Sequence, residues 1–122
     1  MTDGELLERA VAAAERAYAP YSHFHVGAAV LGRSGEVWEG VNVENASYPL
    51  GICAERAAIA RAVSEAGRRP GDFEAIAITA SPCGGCRQWL AEFGFDRVVY
   101  LDNHGDMVTR APDELLPDTF TL

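Results

Sequence analysis

The chain contains no lysine; its ten basic residues are all arginines, set against eighteen acidic residues for a net charge of −8 at pH 7. A protein that grips a phosphate backbone usually presents a basic face. The balance here argues against a nucleic acid polymer as partner and for a small, uncharged one. No apolar run approaches the ~18 residues needed to cross a bilayer. Residues 1–20 carry acidic groups where a secretory leader would have a continuous apolar stretch. Neither a membrane span nor a leader is expected. Cysteine is scarce, and three is an odd number in a chain without a secretion signal. That pattern points to thiolate chemistry in a reducing, cytoplasmic compartment and away from disulfides. Internal repeats and low-complexity segments are also missing.

What is present suits one domain over residues 1–122, with 48% hydrophobic residues to build a core. Residues 3–18 place Leu6, Leu7, Ala10, Val11, Ala14 and Tyr18 at three- and four-residue steps. They predict an amphipathic helix, capped by Thr2 or Asp3 and ended by Pro20. Val26–Leu31 predicts a buried strand, Gly32–Gly35 a turn, and Glu36–Val43 the returning strand of a hairpin. Gly40 marks either a bulge or a close backbone approach. The polar stretch from Asn42 to Pro49 is a loop at a strand end, where binding groups collect. Further helices are predicted over Ile52–Ala66, Cys83–Phe93 and Pro112–Leu116, and strands over Phe73–Ala80, Arg97–Leu101 and Met107–Arg110. The order α-β-β-α-β-α-β-β-α describes an α/β fold, a three-layer α/β/α sandwich on a mixed five-stranded sheet.

All three cysteines fall in two segments, each at the start of a predicted helix: Cys53-Ala54-Glu55, and Pro82-Cys83-Gly84-Gly85-Cys86 about thirty residues on. Zinc binds thiolate sulfur at roughly 2.3 Å in a tetrahedral shell, and a catalytic site keeps three protein ligands and an open fourth position. Cys53, Cys83 and Cys86 supply such a set for one Zn²⁺ per chain. Cys83 and Cys86 converge because positions i and i+3 share a helix face. Zinc lowers the pKa of bound water towards ~7, and Glu55, two residues from a ligand, is placed to reach that water and move its protons. Three thiolates leave the metal centre at a net charge of −1. Two helix N-termini offset part of it. Arg56 is a candidate for the rest; its other reading is a surface arginine on an amphipathic helix.

Two other readings of the cysteines compete. A strand followed by CGGC and a helix also fits a thioredoxin-like redox pair, which has no use for Cys53-Ala54-Glu55. A structural zinc site needs a fourth ligand. None of His23, His25 and His104 has ligand spacing to a cysteine.

Cys-x-Glu with Pro-Cys-x-x-Cys is the signature of zinc-dependent nucleobase deaminases. Over nearly its whole length the chain resembles the cytidine deaminase family, the small free-nucleoside type with three cysteines. AYAPYSHFHVGAAV resembles the family's first strand region, and GVNVENASYPLGICAERAAIARAVSE its substrate loop and first zinc helix. SPCGGCRQWLAEF resembles the second zinc helix and ELLPDTF the C-terminal segment. The resemblance implies zinc-dependent hydrolytic deamination of cytidine or deoxycytidine to the uridine form plus ammonia, a step of pyrimidine salvage. It implies that Asn42 and Glu44 hold the ribose, that Phe24 packs against the base, and that Ala54 offers it a backbone group. Tyr48 and Phe120 reach a neighbouring subunit's site, in a family that is mostly tetrameric at this length. Chemistry supports part of this unaided, since a carboxylate accepts from a ribose hydroxyl. The plain alternatives are solvated loop polarity for Asn42 and Glu44, and ordinary core for Phe24 and Phe120.

The chain departs from the family at one point. Members usually carry several more residues between the third strand and the proline of Pro-Cys-x-x-Cys, whereas here AIAITA runs almost directly into SPCGGC. That spacing is closer to the tRNA-adenosine and nucleotide deaminase branches, which usually have histidine in place of Cys53. The short link bears on pocket width and on the subunit interface. It keeps open a related aminated base or an aminonucleoside of the blasticidin kind as substrate.

Overall fold

The computed structural model describes every residue, Met1–Leu122. Helix α1 (Asp3–Ala14) opens on a complete capping box. The Thr2 hydroxyl accepts from the Glu5 N–H at 3.1 Å, and the Glu5 carboxylate accepts from the Thr2 N–H at 2.9 Å. The helix stops at Ala14, short of the Tyr18 that its periodicity suggested. The N–H groups of Arg16 and Ala17 tighten onto the Ala13 and Ala14 carbonyls. Tyr18 pairs instead across the fold, donating to the Asn42 carbonyl at 3.0 Å and accepting from the Glu44 N–H at 2.9 Å. A long-range bridge thus replaces the last helical turn and ties the exit of α1 to the loop after the hairpin.

Strands β1 (Gly27–Gly32) and β2 (Val37–Val41) form the expected hairpin, and β3 (Phe73–Ile78), β4 (Arg97–Leu101) and β5 (Met107–Arg110) complete a sheet in the order β2-β1-β3-β4-β5. Only β3 and β4 run parallel, joined by a crossover helix; the other neighbours are antiparallel. Helix α1 covers one face. Helices α2 (Ala54–Ala66), α3 (Gly84–Phe93) and α4 (Pro112–Leu115) cover the other, giving the three expected layers. Side chains alternate between the faces as strand geometry demands. Ala29, Leu31, Ala75 and Ala77 pack with Leu6, Leu7 and Ala10 of α1. Ala28, Val30, Ile76 and Ile78 pack with Ala58, Ile59 and Leu90 of α2 and α3. Burial on both faces explains why β3 reads as an unbroken apolar run.

Helix α2 lies very close to the sheet. A methyl group built on Gly40 of β2 would stand 2.4 Å from the Ala58 nitrogen and 2.6 Å from the Ala54 carbonyl oxygen. Gly40 therefore marks a close backbone approach, not a bulge. The helix begins at Ala54, two residues later than predicted. Ile52 is held extended by mutual hydrogen bonds with Val43, both 3.0 Å. That bridge leaves Cys53 as the N-cap, outside the helical turn and facing the end of the sheet.

Candidate active site

The site forms where the N-termini of α2 and α3 meet beyond the ends of β1 and β3. Cys53 is the N-cap of α2 and Cys83 the N-cap of α3, both in extended conformation. Cys86, one turn into α3, is fully buried. The three sulfurs lie within 4.8 Å of one another, and no histidine joins them. Two thiolates on one tetrahedral zinc stand roughly 3.8 Å apart, given bonds of ~2.3 Å. The Cys53 and Cys83 sulfurs are 3.9 Å apart. The donor set therefore fits zinc in both chemistry and spacing, with three ligands and room for a fourth.

The surroundings of Cys53 favour thiolate. Cys53 is drawn down to about 6 by the hydrogen bond from Cys86, assisted by Cys83 and by the Arg56 charge. Cys86 is pushed up by that same bond, by burial and by the nearby Glu55 carboxylate. The Cys83 sulfur accepts from the Cys86 N–H at 3.4 Å. Arg56 turns towards the cluster, its Nη2 3.9 Å from the Cys83 sulfur. Its Nε is buried without a hydrogen-bond partner, which is not how a solvated surface arginine sits.

Glu55 is the single charged residue in the core, 4% exposed. Burial pushes its carboxyl up from the ordinary range, and the Cys53 charge pushes the same way. Burying a carboxyl beside a cysteine cluster carries a desolvation cost that a packed apolar side chain would avoid, which makes Glu55 a candidate for chemistry.

A cavity of about 330 Å³ opens in front of the cluster. Phe24, Asn42, Glu44, Tyr48 and Ala54 line it, together with Cys53, Cys83 and Glu55. Asn42 and Glu44 also brace the Tyr21–Val26 segment. The Asn42 side chain accepts from the Val26 N–H and donates to the Phe24 carbonyl, both at 2.8 Å. The Glu44 carboxylate accepts from the backbone N–H groups of Tyr21 and Ser22 at 3.0 and 3.1 Å, and from the Ser22 hydroxyl. The Ser22 hydroxyl and backbone bonds hold the Glu44 carboxyl below its usual range, so it is an acceptor at neutral pH. These two residues thus carry structural duties that a purely solvated loop would not. Phe120 is elsewhere. It is 71% exposed and borders Pro70, Gln88 and Glu92 on the outer side of α3, away from this chain's cavity. Tyr48, expected to serve a neighbouring subunit, lines the cavity of its own chain. Ile78, Ala80 and Ser81 also line it; no motif announces them, and adjacency to Pro82 is the one signal that would have found them.

A three-sulfur metal group at two helix N-termini, with a buried glutamate at the floor of a small cavity, defines the zinc-dependent deaminase class. A family model for the cytidine and deoxycytidylate deaminase zinc-binding region matches residues 1–102, and the chain belongs to that family. It is 50% identical to a cytidine deaminase of Halalkalibacterium halodurans, over 95% of this chain and 92% of the relative. The crystal structure of a cytidine deaminase from Burkholderia pseudomallei superposes with a TM-score of 0.91 at 48% identity, covering 98% of this chain and all of that one. A blasticidin-S deaminase of Bacillus cereus is 31% identical, over 98% of this chain and 92% of its own length.

Proposed function

We propose that the protein hydrolyses cytidine and deoxycytidine to the corresponding uridine nucleosides and ammonia, with one zinc per chain held by Cys53, Cys83 and Cys86. The observation that carries this reading is the convergence of the three sulfurs within 4.8 Å on a cavity whose floor is a buried glutamate. When bound, zinc supplies Lewis acidity that makes a water acidic enough to react near neutral pH. Glu55 takes a proton from the water whose oxygen adds to C4 of the base, and delivers it to the ring nitrogen N3. It then carries a second proton to the departing amino group as the C4–N bond breaks. A carboxyl raised by burial is suited to holding a proton between these steps. Phe24 stacks on the base, and the Ala54 backbone fixes its edge. Asn42 and Glu44 accept from the sugar hydroxyls with the lone pairs that the Tyr21–Val26 segment leaves free. Arg56 offsets the thiolate charge.

The same reading places the chain as a single domain in the cytoplasm, acting in pyrimidine salvage. Thiolates that must stay reduced suit that compartment. A homotetramer fits the exposed apolar side chains around and beyond the cavity mouth: Phe24, Tyr48, Leu50, Ile52 and Phe120. Phe120, remote from its own cavity, is then free to reach a neighbour's. Sedimentation tests the assembly directly, and a monomer would remove that role from Phe120.

A second reading, deamination of an aminonucleoside such as blasticidin S, is favoured by the short Thr79–Pro82 link and by the likeness to the Bacillus cereus enzyme. Incubation with cytidine, deoxycytidine and blasticidin S, following the ultraviolet change and quantifying zinc on the same sample, separates the two. Turnover of the pyrimidine nucleosides with about one zinc per chain is expected. Turnover of blasticidin S alone would overturn the first reading.

A further inference from the structure

Arg87 immediately follows a zinc-site cysteine, yet it points away from the metal cluster. Its guanidinium reaches back across the first turn of α3 and joins three segments. Nε donates to the Pro82 carbonyl at 2.9 Å, Nη2 to the Ser81 hydroxyl at 3.2 Å, and Nη1 to the Leu115 carbonyl at the end of α4 at 3.0 Å. The first two partners belong to the short link between β3 and α3, where Ala80, Ser81 and Cys83 form a wall of the cavity. That link leaves the sheet once the Thr79 N–H has bonded to the Gly27 carbonyl, at 3.0 Å. Pro82 is a buried residue with no N–H to anchor itself, and its carbonyl takes its donor from Arg87.

The geometry points to Arg87 as a positioning residue: a three-way clamp that sets the cavity wall at Ala80–Cys83, holds Cys83 in register with Cys53 and Cys86, and ties both to the C-terminal segment. A guanidinium suits this task because its donors spread in a rigid plane, whereas an ammonium presents them from one point. The clamp also gives the short link a physical counterpart. With few residues between strand and helix, there is little chain in which to bury a self-supporting turn, and one side chain supplies the hydrogen bonds instead. Because Leu115 precedes the segment that carries Phe120, the same clamp sets where that segment leaves the body of the protein.

The test uses the zinc-loaded enzyme and three variants, Arg87→Lys, Arg87→Ala and Ser81→Ala. Two readouts are followed: the rate of zinc release to a chromogenic chelator, and KM against kcat for cytidine. Arg87→Lys keeps charge and fold, checked by circular dichroism. It is expected to release zinc roughly tenfold faster and to raise KM roughly tenfold, with a smaller change in kcat. Ser81→Ala shifts both in the same direction by less. Arg87→Ala is expected to recover part of its affinity when free guanidinium ion is added at concentrations that leave the parent protein unaffected. Parental zinc release and KM in Arg87→Lys would overturn the clamp, as would failure of guanidinium to restore Arg87→Ala. The KM readout rests on the deaminase reading, but zinc release does not. A parent protein inactive on cytidine would sink that reading while the release rates still decide the clamp.

Discussion

The three longer helices of this protein begin in different ways. Helix α1 starts on a full capping box, in which Thr2 and Glu5 satisfy each other's backbone N–H groups. Helix α2 starts on Cys53, whose side chain makes no cap hydrogen bond at all. Helix α3 is intermediate, with the Cys83 sulfur accepting one N–H at 3.4 Å. An N-cap of serine, threonine, aspartate or asparagine is worth about 1 kcal/mol. The chain uses that device on the helix that only packs and forgoes it on the helix that carries Cys53 and Glu55. The positive end of an uncapped helix is free to face a thiolate and to help hold it ionised. On the proposed function, the difference separates a helix start built for stability from one built for chemistry.

Four substitutions would break or sharpen that contrast. Glu55→Gln should have the largest effect. Turnover of cytidine should fall by roughly 10³-fold or more. Zinc content should be unchanged, and melting temperature equal or higher, because an amide in that buried position carries no charge to desolvate. An active variant would remove Glu55 from the proton path. Cys53→Ser is next: zinc affinity should drop roughly tenfold or more as a soft ligand is lost, while the metal-free protein should become more stable by about 0.5–1 kcal/mol through the restored cap. Chelator competition and thermal melts of the metal-free protein measure the two halves. A metal-free protein left unchanged or weakened would mean that the missing cap costs nothing. Thr2→Ala should lower the melting temperature by about 4 °C and leave kcat and KM as they were, since nothing on α1 lines the cavity.

The smallest effect concerns Glu39 on β2, which bridges Arg9 at 2.7 Å and Arg16 at 2.9 Å. Arg9 first, and then Arg16, hold its carboxyl below the ordinary range. Stability from a lowered carboxyl is fully present above the unfolded value and is lost as pH falls through the folded one. Glu39→Gln should therefore cost up to about 1 kcal/mol at pH 7. The gap from the parent protein should close below about pH 4. A gap that persists in acid would assign the effect to packing.

Much of the site was legible in the linear order of residues because its geometry is local. Cys53 and Glu55 are separated by one residue at a helix start. Cys83 and Cys86 are one turn apart, and helical pitch alone brings that pair to one face. The strands and helices declared themselves by period, and their order implied a mixed sheet between two layers of helices. Gly40 was flagged as either a bulge or a close backbone approach, and only the packing of α2 decided between them. Composition pointed to a small, uncharged partner through the net charge of −8, and to thiolate chemistry through three cysteines.

What the linear order did not contain are contacts between segments far apart in the chain. The approach of the Cys53 and Cys83 sulfurs to 3.9 Å depends on α2 pressing on the sheet at Gly40 and on α3 leaving the end of β3. The end of α1 was misjudged because Tyr18 pairs with the Asn42–Glu44 backbone, and propensity cannot see a partner so distant. The same holds for Asn42 and Glu44, whose side chains organise the Tyr21–Val26 segment, and for Arg87, which reads as one more helix residue until Leu115 arrives beside it. Local spacing determined which residues could perform the chemistry. Packing of remote segments decided where they stand, because a hydrogen bond or a metal site is a matter of ångströms in space and not of distance along the chain.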